Sequence, residues 1–286
     1  MNGGTGVVPV GKFALSYIDR PSPVHALSGT TKLIVFLLWS VLAMAGYDTR
    51  IMCVMTVIAL VIFGLARIRL GDLAFVLKFL VVFMILNLIA IYIFSPEQGV
   101  AIYGTRHVIS RGWGRFTLTW EQLFYELNVF LKYTTVLPLA ILLIVTVHPS
   151  EFAASLNRIG VPYTIAYAVS LTFRYIPDVQ RDYENISQAQ QARGIELSRK
   201  QPPIKRLRGA AAILLPLIFT SIDRIDVVSR AMELRSFGKY KKRTWYSARS
   251  FGGTDILTLI IAALLFALGI WITFRDGNRF WNPFLE

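Results

Sequence analysis

The sequence predicts an all-α membrane protein: about five transmembrane helices plus two long, kinked coupling helices that dip into the membrane, bend out into the cytoplasm and cross there. Three observations predict it. Hydrophobic residues make up 55% of the 286, and mean hydropathy is +0.53, which is too apolar for a soluble domain. Five apolar runs approach or reach the length of a membrane helix. The net charge of +13 is concentrated in one polar stretch, as expected of a segment held on one side of a membrane.

The apolar runs fall at about 33–47, 51–66, 73–95, 124–147 and 254–274. A spanning helix needs about 20 mostly apolar residues, so the first two must extend at their ends. Lys78 and Lys132 interrupt the third and fourth; each is expected to snorkel or to pack in a cavity. Between the third and fourth runs, "YGTRHVISRGWGRFTLTW" has the glycines and aromatics of a small hairpin. The N-terminal "MNGGTGVVPVGKF" is too short and Gly-rich for a signal peptide. Three regions follow: 1–148 with four membrane helices, 149–250, and 251–286 with the last membrane helix and a tail.

Residues 149–250 carry 17 Lys/Arg against 8 Asp/Glu. Arg235, Lys239, Lys241, Lys242, Arg243 and Arg249 lie just before the last membrane helix and place this region in the cytoplasm. "SEFAASLNRIG" (150–160) predicts a short amphipathic helix with Ser150 as N-cap and Gly160 past its end. Pro162 opens a long helix to about Leu197. "QPP" breaks the chain, and a second long helix runs from about Ile204 to Ser236. Each long helix has an apolar first half, an interior proline (Pro177 or Pro216) that should kink it, and a polar second half. From proline to arginine tip each polar arm is about 25 Å long.

Several chemistries are excluded by the residues present. "GVVPVGKF" matches part of a phosphate loop, but Phe13 stands where Ser or Thr must hold magnesium, and Pro9 sits inside the loop. His25, His107 and His148 are far apart, and Cys53 is the only cysteine, so no metal-ligand spacing occurs. Asp178, Asp182 and Glu184 sit beside Arg174 and Arg181 as a solvated helix face would. The basic charge is explained by membrane-flanking segments rather than by nucleic acid. No cofactor and no catalytic residue is expected.

The polar arms need a partner. Val179, Tyr183 and Ile186 form one apolar stripe at helical spacing; Ile225, Val228 and Met232 form another. A narrow stripe on an arm of this length has no large core of its own. Near each tip stands an arginine with small neighbours: Ala192-Arg193-Gly194, then Leu234-Arg235-Ser236. Guanidinium makes several directed hydrogen bonds to carboxylates or carbonyls. Two similar tips imply two similar partner grooves.

"SQAQQARGIEL" and "SRAMELRSFG" resemble the paired Ala-Arg-Gly-type motifs of the transmembrane T subunit of energy-coupling factor transporters, the group that includes the cobalt transport permease family. "SPVHALSGTTKLIVFLL" (22–38) resembles the family's lead-in to its first helix, and "FRYIPDV" (173–179) its Arg-x-x-Pro kink. The chain departs from the pattern at Leu234 and Ser236, where alanine and glycine are usual, and at Ser28-Gly29, where Asp-Pro is more common. The resemblance implies a non-catalytic subunit whose two cytoplasmic coupling helices dock by their tips on two ABC ATPase subunits. It implies that the arms move a separate substrate-binding S subunit, all within membrane lipid. Arg193 and Arg235 are then anchors, and Ala192, Gly194 and Ser236 allow close approach. The rivals are an ordinary ABC importer permease with its own substrate path and a membrane-embedded enzyme, which would need clustered His or acid residues at a membrane face. "HPSEFAASLNRIG" is the permease's nearest feature, but the Glu151-to-Gly160 spacing is nine where that loop has six.

Overall fold

The computed structural model describes residues 22–110, 116–195, 202–240, 244–275 and 280–284. The phosphate-loop-like stretch and the basic residues 241–243 lie outside the described residues. By its contacts the chain divides into two compact units, residues 1–152 with 249–286, and residues 153–248.

The first unit is a bundle of apolar helices. After a one-turn helix α1 (Pro23–Ala26), α2 spans Gly29–Ala45 and α3 Thr49–Leu65. A 3-10 turn leads into α4 (Ala74–Phe94), short α5 (Gln98–Tyr103) precedes the strands β1 (Val108–Ser110) and β2 (Leu118–Thr119), and α6 covers Trp120–Thr146. The strands pair antiparallel, as the hairpin reading of that loop expects. Helix α10 (Gly253–Arg275) closes the unit. Helices α4, α6 and α10 are long and apolar enough to cross a membrane, and α2 and α3 are shorter apolar helices of 17 residues. The five runs seen in the sequence are therefore five helices of an all-α membrane protein.

Helix α6 is the axis of this bundle, and its sequence shows why. Its polar residues Glu121, Gln122, Asn128, Lys132 and Thr135 are all buried, and each polar group needs a partner where water is absent. Thr49 Oγ1 donates to Asn128 Oδ1 at 2.7 Å, and Asn128 Nδ2 donates to the Tyr103 hydroxyl at 3.2 Å. Burial pushes the Tyr103 hydroxyl up to about 12, so it stays protonated. Thr56 and Thr135 share a hydroxyl contact of 2.6 Å. Lys132 does not snorkel: it is buried, with its ammonium 3.1 Å from the centroid of the Tyr47 ring. Lys78, the fifth residue of α4, is exposed. Asn87 of α4 accepts from Tyr133 of α6 at 3.1 Å.

The lead-in segment is a pair of caps. Ser22 accepts the His25 N–H and starts α1, and Ser28 accepts the Thr31 N–H and starts α2. Two carboxylates from far along the chain complete the start of α2. Asp255 Oδ1 accepts the Ser28 N–H at 2.8 Å, and Glu151 Oε1 accepts the Gly29 N–H at 2.7 Å. Anions at a helix N-terminus satisfy its orphan donors and suit its dipole. Asp255 Oδ2 also accepts the Gly252 N–H at 2.9 Å. Helix α10 approaches α2 closely at Gly269, where a Cβ would come within 2.7 Å of Leu42 Cδ2.

The second unit holds most of α7 (Pro149–Arg158) and the long helices α8 (Tyr163–Ala192) and α9 (Pro203–Leu234). Pro149 takes the first helical position, so Ser150 lies inside α7 rather than capping it. Helix α8 stops at Ala192, five residues before the expected Leu197, because Gly194 adopts φ +85° and turns the chain. Leu197 itself is outside the described residues.

Candidate functional site: two arginine-capped helix ends

Helices α8 and α9 pair along their length in opposite directions. Tyr163, at the start of α8, accepts the Gly238 N–H beyond the end of α9 at 2.6 Å. Arg224 of α9 donates to Asp182 of α8 at 2.6 Å, and Gln190 of α8 donates to the Ala212 carbonyl of α9 at 3.2 Å. Partner numbers fall as α8 numbers rise, so the pair is antiparallel. The two tips, Arg193 and Arg235, therefore lie at opposite ends of it. Helix α8 has 30 residues, about 45 Å of length at 1.5 Å per residue.

The interior prolines sit inside unbroken helices. A proline cannot donate to the carbonyl four residues before it. For Pro216 that carbonyl belongs to Ala212, the group that Gln190 engages. The proline thus exposes an acceptor, and the facing helix uses it. Asp182, read from sequence as part of a solvated face, instead joins the two helices through Arg224, which also lies 5.8 Å from the Tyr175 ring. Asp178 and Arg181 do form an exposed pair, at 3.7 Å.

Both tips end in the same turn. At the first, the Ile195 N–H donates to Gln190 O at 3.0 Å and the Gly194 N–H to Gln191 O at 2.9 Å. At the second, the Phe237 N–H donates to Met232 O at 3.0 Å and the Ser236 N–H to Glu233 O at 2.9 Å. These are the nested bonds of a Schellman ending, which requires a left-handed residue after the cap. Gly194 supplies it at φ +85°, and Ser236 at φ +54°. Arg193 and Arg235 are the C-cap residues, and both are exposed. The small residue after each arginine has a reason inside the chain, its positive φ. A Cβ on Gly194 would meet nothing within 4 Å.

The surroundings of the two tips differ. Phe237, just past the second tip, packs edge-on against Tyr163 and tilted against Tyr167, at centroid distances of 5.4 and 4.9 Å. Trp245 follows, donating to Asn157 Oδ1 at 3.0 Å. Ala192 is exposed, and Leu234 is 87% exposed beside Arg235. Of the predicted stripes, Val179, Ile186, Val228 and Met232 are half-buried, whereas Tyr183 and Ile225 are exposed. Sequence reasoning missed the better-buried residues of the two helices, Ser187 and Ile213. It also missed that apolar residues continue back from Ile225 along α9 through Ile222, Ile218 and Leu215, all about half exposed. Their spacing of three and four was readable as helical.

The family model of the cobalt transport protein, CbiQ, matches residues 20–246. Several proteins named energy-coupling factor transporter transmembrane protein EcfT are similar over most of the chain. That of Streptococcus thermophilus is 26% identical over 262 residues, covering 89% of this chain and 94% of its own. That of Bacillus subtilis is 23% identical over 266 residues, covering 88% and 96%. That of Exiguobacterium sibiricum is 27% identical over 229 residues, covering 76% and 81%. With its five apolar helices and paired arginine-capped arms, the chain belongs to the CbiQ cobalt transport protein family.

Proposed function

We propose that this chain is the transmembrane coupling subunit of an energy-coupling factor importer, multi-pass in a bacterial plasma membrane. The observation that carries this reading is the repeated tip. One backbone turn with an exposed cap arginine occurs at both ends of a helix pair about 45 Å long. A single partner groove could not hold both tips; two copies of one groove could. Two ABC ATPase subunits provide such a pair, and the names of the bacterial relatives support an energy-coupled complex.

In this reading Arg193 and Arg235 pair with acidic or carbonyl groups in the ATPase grooves, with Ala192, Gly194, Leu234 and Ser236 against the groove walls. ATP-driven closure of the ATPases moves the tips. The helix pair, held by Gln190, Asp182 and Arg224, carries that motion as one body. Pro177 and Pro216 are the points where each helix bends. The exposed stripe through Ile225, together with Tyr183, meets the substrate-binding S subunit, since an apolar patch of that extent calls for a cover. The S subunit binds the cargo, a vitamin, vitamin precursor or metal ion. This chain hydrolyses nothing.

The test is charge reversal in the co-expressed complex. Arg193→Glu and Arg235→Glu should each weaken ATPase retention while leaving the chain in the membrane, and the double variant should abolish it. Reversal at a desolvated charge contact costs about 2–5 kcal/mol. A double variant that still captures both ATPases and supports uptake overturns the docking reading.

A further inference from the structure

The turn after Arg235 is strained where the turn after Arg193 is not. Gly194 enters the left-handed region freely, whereas Ser236 carries a Cβ there, at φ +54°, a conformation that L-residues avoid. The two turns have the same nested hydrogen bonds, so those bonds do not explain how the serine turn persists. Contacts from outside the turn must hold it.

They come from the start of α8. Pro162 is the N-cap residue of that helix, and Tyr163 and Tyr167 follow four residues apart, on one face. Tyr163 is 6% exposed. Its hydroxyl accepts the Gly238 N–H at 2.6 Å, and Gly238 itself turns the chain at φ +88°. Phe237, between Ser236 and Gly238, meets the Tyr163 ring edge-on and the Tyr167 ring at a tilt. In a Schellman ending the residue in the place of Phe237 commonly packs back on its own helix; here its ring packs on the neighbouring one. Trp245 stands 6.4 Å from Tyr167, ring to ring. The indole N–H of Trp245 donates to Asn157 Oδ1 at 3.0 Å, and Asn157 Nδ2 donates to Val161 O at 2.8 Å. Both ends of that amide are therefore engaged, and they tie the α7–α8 turn to the same aromatic cluster. Backbone strain at a surface position persists where the surrounding structure over-determines it, and this cluster surrounds Ser236 on the chain's far side.

Given that the tips dock on the ATPases, we infer that Tyr163 is a positioning residue for the second tip. Its hydroxyl on Gly238 and its ring on Phe237 hold Ser236 at positive φ, and so fix the direction in which Arg235 leaves the end of α9. Arg193 needs no such clamp, because Gly194 forms its turn unaided. Docking at Arg235 thus depends on the start of α8, and docking at Arg193 does not.

The experiment uses the full chain co-expressed with its ATPases, with a photo-crosslinking amino acid at Leu234 or at Ala192, and reads the yield of the ATPase crosslink. Tyr163→Phe removes the hydroxyl and keeps the ring. The yield from Leu234 should fall about fivefold, the effect of about one net hydrogen bond, and the yield from Ala192 should stay at the wild-type level. Adding Ser236→Gly to Tyr163→Phe should restore the Leu234 yield, since a glycine turn holds itself. A general loss of stability would lower both crosslinks and would not be repaired by that glycine. An unchanged Leu234 yield in Tyr163→Phe overturns the inference, as does a fall at both tips or a fall that Ser236→Gly does not reverse. A wild-type chain that crosslinks to no ATPase from Leu234 removes the docking reading itself, and the role of Tyr163 with it.

Discussion

Gly194 and Ser236 occupy one backbone position by two different routes. Glycine enters the left-handed region without cost, whereas a residue with a Cβ gives up about 1 kcal/mol there. Gly194→Ala should therefore loosen the end of α8 by about 1 kcal/mol, and Ser236→Gly should tighten the end of α9 by a similar amount. Hydrogen exchange at the Ile195 and Phe237 amides, which close the two turns, reads both effects as about a fivefold change in protection. The arginines need the same weighing. A cation at a helix C-terminus contributes about 0.3–1 kcal/mol through the dipole alone. That is well below the loss expected on reversing a docked charge, so partner binding separates the two roles. Asp255 is the third residue of consequence. Asp255→Ala leaves the Ser28 and Gly252 amides without their acceptor and should cost about 3 kcal/mol, measured as a drop in Tm in detergent. None of this was legible in "SPVHALSGTTK", because the capping carboxylates arrive from 122 and 227 residues away. Serine, likewise, carries no general signal for positive φ, so the Ser236 turn could not be read from its residue type.

Among the elements, α8 and α9 were legible as long helices with interior prolines, and their pairing contacts were not. Periodicity marked Val179, Ile186, Val228 and Met232, which are half-buried. It also marked Tyr183 and Ile225, which are exposed, since a three-residue stripe does not say which side a partner takes. The polar contacts Gln190–Ala212 and Asp182–Arg224 depend on the antiparallel register of two helices joined through residues 193–202. Local spacing does not encode that register. A double-mutant cycle on Asp182→Ala and Arg224→Ala tests the pair. Both side chains keep roughly a quarter of their exposure, so screening limits the coupling to about 1 kcal/mol. A coupling near zero would mean that the helices are held by their apolar contacts alone.

For the whole molecule, hydropathy was enough to find the five membrane helices, because each must present an apolar surface over most of its length. The short α1 and α5 gave no comparable signal. Nor did the packing of Phe280 and Phe284 on Tyr103, a long-range contact made by residues with no local pattern. The central claim belongs to this scale: two tips that end in the same turn, at opposite ends of the helix pair, each dock on an ATPase. It is tested most directly by placing a photo-crosslinking amino acid at Ala192 and, separately, at Leu234 in the assembled complex. Both positions are exposed beside their arginines. The account predicts that each position crosslinks to an ATPase subunit, and that Arg193→Glu or Arg235→Glu removes the crosslink at its own tip only. Crosslinks from both positions to the S subunit or to lipid, with none to an ATPase, would contradict it.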